Sequence, residues 1–257
     1  MLRGRAKILN SSIIAMAAVL ALLFSFSFVY ANAEELEHIR GAIKAKGAKW
    51  HADETSVSKL SAQEKKMRLG VAGPEEFAAS DSALPDTAPL PLVTAGPLTL
   101  DWRNVNGVNY VTPVKNQGSC GSCWAFAVAA ALESQVMIAT GGQPLDVSEQ
   151  VLVSCSGAGS CSGGSPSTAS TFIRDVGLPL ESCFQYTATN NSCANACLDW
   201  KNNTFNVNGW HRASSTTITV DDIRNALYAY GPVVATFYVY NDFFSYRSGV
   251  YSYTTGS

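Results

Sequence analysis

The hydrophobic and polar positions divide the chain into stretches of different character. Ile13 to Val29 is an apolar run broken only by Ser25 and Ser27. From Glu34 to about Leu69 the chain is charged and free of cysteine, and two helices are expected there. The first runs from Glu34-Glu35-Leu36 through Lys49, weakened by Gly41 and Gly47. Ser61 with Glu64 forms a capping box for the second, which ends at Gly70. This region has too few large apolar residues to fold alone, so it is expected to dock on something or stay mobile. Pro85, Pro89, Pro91 and Pro97 mark residues 82–97 as an extended linker open to proteolysis.

Trp124 to Thr140 reads as a strong helix. It is alanine-rich, carries Phe126, Leu132, Val136 and Met137, and is stopped by Gly141-Gly142. Ser148 caps a short helix over Glu149 to Val153. After about Phe205 the pattern favours strand, with the β-branched and aromatic run Val233 to Tyr240 following the breaker Gly231-Pro232. Helices first and strands later predict an α+β fold with segregated halves.

The first apolar run bears on destination. Arg3, Arg5 and Lys7 precede it, and Ala31-Asn32-Ala33 follows with the small-x-small pattern that a signal peptidase cuts. The run is nearly long enough to span a bilayer as an uncleaved anchor. The Ala-x-Ala site favours cleavage, hence an exported protein (extracellular, periplasmic or in a lysosome-like compartment) with no membrane attachment afterwards. The layout expected is a signal peptide over 1–33, a pro-region with its proline-rich linker over 34–97, and a catalytic-looking domain over 98–257.

The chain's 257 residues are 47% apolar and 15% charged, enough for a buried core. A net charge of −2 offers no basic surface for nucleic acid or anionic lipid. Seven cysteines stand at 120, 123, 155, 161, 183, 193 and 197. In an oxidising compartment six are expected to pair and one to stay free.

The candidate chemistry lies in Gln117-Gly118-Ser119-Cys120-Gly121-Ser122-Cys123-Trp124-Ala125-Phe126. This stretch places a cysteine at the first turn of a helix, just after a glycine-bearing loop. Unpaired N–H groups and the positive end of the helix dipole favour a thiolate there. Attack on a carbonyl also needs donors aimed at the developing oxyanion. The Cys123 N–H and the Gln117 side chain are the candidates, and a histidine must hold and return the proton.

These residues resemble the papain family of cysteine peptidases, whose signature includes Cys-Gly-Ser-Cys-Trp. The resemblance runs from about Leu98 to the end. It takes in Asp101-Trp102-Arg103, Val111-Thr112-Pro113-Val114-Lys115-Asn116-Gln117, Ser148-Glu149-Gln150 and Cys161-Ser162-Gly163-Gly164. It implies a papain-like α+β fold: a helical left half carrying the nucleophile, and a β-barrel-type right half only partly present. It implies that Cys123 is the nucleophile and Gln117 the oxyanion donor. Gly121, Gly163 and Gly164 would line the cleft, where substrate backbone bonds as a short antiparallel strand. The resemblance further implies a Cys120–Cys161 bridge and a Cys155–Cys193 bridge. Cys183 and Cys197 then remain and are expected to join each other, leaving Cys123 alone.

The departures matter as well. Ser165 stands where the family often has an aromatic residue shaping the second specificity pocket, followed by the expected Pro166. With Thr236, which would line the same pocket, it implies a more open or polar site. The chain's histidines are His38, His51 and His211. The resemblance places the family histidine, and the asparagine that orients it, beyond Ser257. The sequence is therefore expected to be incomplete and, as given, inactive.

Three other readings were weighed. Cys120-Gly121-Ser122-Cys123 is the C-x-x-C of a thiol-disulfide oxidoreductase, but no βαβ pattern surrounds it. Cys155, Cys161, Cys193 and Cys197 have the ligand type for zinc, but export favours disulfides. A non-catalytic papain-fold binding protein would need neither Gln117 nor Cys123. Asn190-Asn191-Ser192 and Asn202-Asn203-Thr204 are glycosylation sequons. The expected function is cleavage of peptide bonds in protein or peptide substrates through a thioester intermediate. No cofactor or metal is expected, and the chain's own pro-region is the expected inhibitor.

Overall fold

A computed structural model describes residues 33–71, 99–213 and 217–256. The expected signal peptide and proline-rich linker lie outside the described residues. The described residues form two compact units, one from 33–62 with 238–256 and one from within 63–237.

In the first unit, helix α1 (residues 33–46) precedes strand β1 (Lys49–Ala52), which pairs antiparallel with β4 (Tyr246–Val250). Lys49 faces Val250 and Trp50 faces Gly249. Trp50 alternates inward with Ala52 and buries its ring against Leu36, Ile39 and Tyr251. The helix expected through Lys49 therefore ends earlier. Lys49 belongs to β1, because alternate burial of Trp50 and Ala52 satisfies a period of two.

In the second unit helix α3 (Cys123–Thr140) is central. Trp124, Ala125, Val128, Ala129 and Leu132 form its buried stripe at helical spacing. The alanines let it approach α5 (Pro166–Asp175), whose Ala169 and Ile173 face it in the core, and α4 (Glu149–Cys155) adds Val151, Leu152 and Val153. Gly141, at φ 75°, takes the left-handed C-cap conformation that ends α3, its N–H reaching the Met137 carbonyl. By length and composition α3 would cross a bilayer, yet here its apolar stripe packs inside the unit.

Short strands β2 (Gly159–Ser160) and β3 (Gly163–Gly164) pair antiparallel beside α3. Gln150 at the start of α4 is fully buried and anchors residues 187–189. Its amide donates to the Thr189 carbonyl at 2.9 Å and its oxygen accepts from Thr187 N–H at 3.0 Å.

Two further expectations are corrected here. Helix α2 covers only Ala62–Lys66; turn hydrogen bonds follow it, from Arg68 N–H to the Lys65 carbonyl and from Leu69 N–H to the Lys66 carbonyl, and the backbone is irregular by Gly70. The run Val233 to Tyr240 forms no strand. Its β-propensity is high, but a strand also needs a neighbouring strand for its N–H and C=O groups, and among the described residues this run joins no sheet. Two helices went unpredicted although their caps are written in the sequence: Ser165 followed by Pro166 starts α5, and Thr219 with Asp222 makes the capping box of α6 (Val220–Tyr230).

Leu152 is fully buried between these helices. Leu152→Ala should destabilise the second unit by about 2–5 kcal/mol, read as a lower denaturation midpoint. An unchanged midpoint would show that α4 does not hold the core together.

Candidate active site

Cys123 is the first residue of α3, so its N–H lies ahead of the helical ladder. It is half-buried and the free cysteine among the described residues. Disulfides join Cys120 to Cys161, Cys155 to Cys193 and Cys183 to Cys197. The four cysteines weighed as zinc ligands are thus all in disulfides, and Cys120 bridges to Cys161 rather than to Cys123.

The Cys120–Cys161 bridge brings the loop before α3 against the loop before β3, and Gly121 N–H donates to the Cys161 carbonyl at 2.8 Å. Cys161 N–H in turn donates to Asn190 Oδ1 at 2.8 Å. Trp124 lies beneath β3: a Cβ on Gly164 would stand 2.4 Å from its ring, so this edge can carry no side chain.

Gln117 ends the irregular stretch 112–117. Its Nε2 donates to the Cys120 carbonyl at 2.7 Å and to the Arg68 carbonyl at 2.9 Å. Arg68 belongs to the segment following α2, which crosses this same site. Gly164 N–H donates to the Gly70 carbonyl at 2.8 Å, and Val71 forms a parallel bridge with Gly164. Any residue larger than glycine at 70 would collide, since a Cβ there would sit 1.9 Å from the Gly121 carbonyl oxygen.

The structure therefore gathers Gln117, Gly121, Gly163 and Gly164 around residues 68–71. The Ser165 hydroxyl caps α5, accepting from Thr168 N–H at 3.2 Å, and Pro166 is buried as the first residue of that helix. Thr236 is exposed on the irregular run 233–240, and His211 is exposed on an irregular stretch. His38 lies in the first unit, 3.0 Å from Thr255 Oγ1. Sequence reading missed Arg68, Gly70 and Val71 as occupants, and Tyr186 and Asn190 as supports. The glycine expected to end a helix was the one available signal.

Behind the loop, Lys115 Nζ contacts Glu133 at 2.9 Å, Asp146 at 2.5 Å and Glu149 at 2.7 Å. Glu133 also accepts from Thr112 Oγ1 at 2.5 Å and from Val147 N–H at 3.0 Å. Burial works against the Lys115 charge, but the three carboxylates outweigh it and hold its pKa above the usual lysine value. Burial pushes Glu149 the other way, up to about 7, only partly offset by Lys115. Burial also raises Glu181. A cavity of about 490 Å³ beside this cluster is lined by Lys115, Glu149, Glu181 and Tyr186, and Cys123 takes no part in it.

Residues 96–257 match the family described as papain family cysteine protease. The chain belongs to the papain family. It is 39% identical over 160 residues to oryzain gamma chain of Oryza sativa subsp. japonica, covering 61% of this chain and 42% of that protein. It is 37% identical over 174 residues to pro-cathepsin H of Bos taurus, covering 62% of this chain and 46% of that protein. The chain thus spans under half the length of these curated relatives. Among solved structures, procathepsin L2 proteinase from Tenebrio molitor larval midgut superposes with a TM-score of 0.64 at 25% identity, covering 88% of this chain and 71% of that one. ProCathepsin B S9 from Trypanosoma congolense gives a TM-score of 0.65 at 25% identity, covering 86% and 77%. The mixed helix and sheet seen here is a partial papain-like fold.

Glu149 predicts a pH dependence. An acid whose folded pKa lies above its ordinary 4.5 binds its proton more tightly in the native state, so stability falls as pH rises from about 4.5 to about 7. Over that window the stability of wild type relative to Glu149→Gln should decline, and then level off. Chemical denaturation at stepped pH measures it, and a relative gain for wild type would contradict the assignment.

Proposed function

We propose that this papain-family chain provides the nucleophile-bearing half of an exported cysteine peptidase that acts on protein or peptide substrates. The observation that carries the reading is an unbridged cysteine at the start of a core helix, beside a glutamine amide that is already bonded to a main-chain carbonyl. Cys123 thiolate attacks the carbonyl carbon of a bound peptide, and the π electrons move to oxygen. The Cys123 N–H and Gln117 Nε2 receive that oxyanion. Collapse expels the amine, protonated by an imidazolium, and leaves a thioester that water hydrolyses. The proton transfers require an imidazole that the resemblance places outside residues 1–257.

The layout proposed with this reading is a signal peptide over 1–33, a pro-region with linker over 34–97 and a peptidase domain from 98. Residues 68–71 act as a built-in plug. Arg68 presents a carbonyl to the oxyanion donor, and Gly70 uses the Gly164 N–H that a substrate would need. The parallel sense of the Val71–Gly164 bridge supports inhibition rather than turnover, because substrate is expected antiparallel on that edge. Chain cleavage in the linker followed by release of 68–71 would free both groups.

The mature product of the complete coding sequence tests this directly. Cys123→Ala should lower peptide hydrolysis by at least about 10³-fold, as loss of a nucleophile does elsewhere, and residual hydrolysis near wild type would refute the reading. In the precursor, Gly70→Leu should expel the plug and raise the rate at which Cys123 is alkylated by iodoacetamide. An unchanged rate would mean that residues 68–71 do not guard the thiol.

A further inference from the structure

The reading above needs two N–H donors, from Gln117 and Cys123, held at a fixed separation, yet they sit on different segments. Gln117 ends an irregular loop, whereas Cys123 begins a helix. One side chain spans the gap. Tyr186 Oη donates to the Gln117 main-chain carbonyl at 2.8 Å, and Ser122 Oγ lies 2.5 Å from the same phenol oxygen.

The proton order follows from counting hydrogens. A carbonyl can only accept, so the single phenol proton is committed to Gln117. Ser122 must then donate to Tyr186. Ser122 is the fully buried N-cap of α3, one residue before the nucleophile. The order is therefore Ser122 hydroxyl to Tyr186 hydroxyl to Gln117 carbonyl, and it links the two donor-bearing segments through one oxygen.

Tyr186 is itself firmly seated. Its ring meets Phe126 edge-on at 4.8 Å between centroids, and its N–H donates to Glu181 Oε1 at 2.7 Å. The Cys183–Cys197 bridge lies just upstream of it. Burial raises its pKa above the usual tyrosine value, which keeps the hydroxyl a donor through the neutral range.

We infer that Tyr186 is a positioning residue for peptide hydrolysis: through the Gln117 carbonyl and the Ser122 hydroxyl it fixes the oxyanion donors relative to the nucleophile. This rests on the peptidase reading. Phenylalanine at 186 would keep the ring contact with Phe126, and Ser122 Oγ retains the Cys120 carbonyl, 3.5 Å away, as another acceptor.

The test compares the mature product of the complete coding sequence with its Tyr186→Phe, Gln117→Ala and doubly substituted forms. Five quantities are measured: kcat and KM on a peptide, the affinity of a peptide aldehyde whose adduct oxygen sits in the oxyanion position, the rate of iodoacetamide alkylation, and the thermal midpoint. Loss of one hydrogen bond should lower kcat and aldehyde affinity in Tyr186→Phe together, by about five- to tenfold, with KM within about twofold and alkylation unchanged. In the Gln117→Ala background the same substitution should have almost no further effect, because the group it positions is gone.

Full additivity of the two substitutions would overturn the proposal, as would an unaffected kcat. A parallel drop in alkylation or loss of the cooperative thermal transition would make Tyr186 a structural residue and also overturn it. Absence of turnover in the wild type would instead remove the peptidase reading, and this inference with it.

Discussion

A single ammonium group, Lys115 Nζ, holds the site-bearing loop to the helical core. Glu133 in α3 and Glu149 in α4 are almost completely buried, and neither carboxylate is tolerable there without a countercharge. Lys115 supplies it to both from the loop that leads to Gln117. The interaction is thus less a source of stability than a constraint on geometry. Residues 112–117 have no regular secondary structure to keep them in place, and a buried, mutually dependent set of charges does so instead. Thr112 and the Val147 N–H complete the hydrogen bonding of Glu133, which leaves little freedom for the loop to settle elsewhere.

On that frame the cleft is assembled from three short segments of backbone. The loop before α3, the edge of β3 and the residues after α2 approach closely enough that glycine is required where they meet. Gly121, Gly164 and Gly70 each face another backbone or a tryptophan ring at distances a Cβ would violate. Close approach puts N–H groups at the surface of the cleft, and Gly164 N–H there bonds the chain's own Gly70 carbonyl. In the proposed reading, self-occupation by residues 68–71 and binding of a substrate draw on the same chemistry. What separates them in this reading is chain direction, since backbone hydrogen bonds are available in either sense but the reacting carbonyl is not.

Several parts of this arrangement were legible from residue types alone. The helix after Ser122 follows from an alanine-rich run and its glycine stop, and the cap at Ser148 from a hydroxyl placed ahead of a polar first turn. These are local interactions within one or two turns, so local sequence specifies them. The same logic was available and unused at Ser165-Pro166 and at Thr219–Asp222, where caps mark α5 and α6. Family membership adds to this, because separated motifs such as Asp101-Trp102-Arg103 and Cys161-Ser162-Gly163-Gly164 recur in order, though it does not specify which neighbour supports which group.

The chain by itself determined that a helix follows the Ser122 loop and stops at Gly141, that Ser148 caps the next, that cysteine parity leaves one thiol over, and that a cysteine stands at a helix start after a glycine-bearing loop. Tertiary structure alone decided that Val233 to Tyr240 joins no sheet among the described residues, because a strand is completed by a partner distant in sequence. It also decided that the Ser165 hydroxyl serves a helix end, that Arg68 to Val71 lie on the Gln117 amide and the β3 edge, and that Tyr186 joins two segments 64 and 69 residues away. Those contacts depend on distances across the fold, which no spacing along the chain encodes.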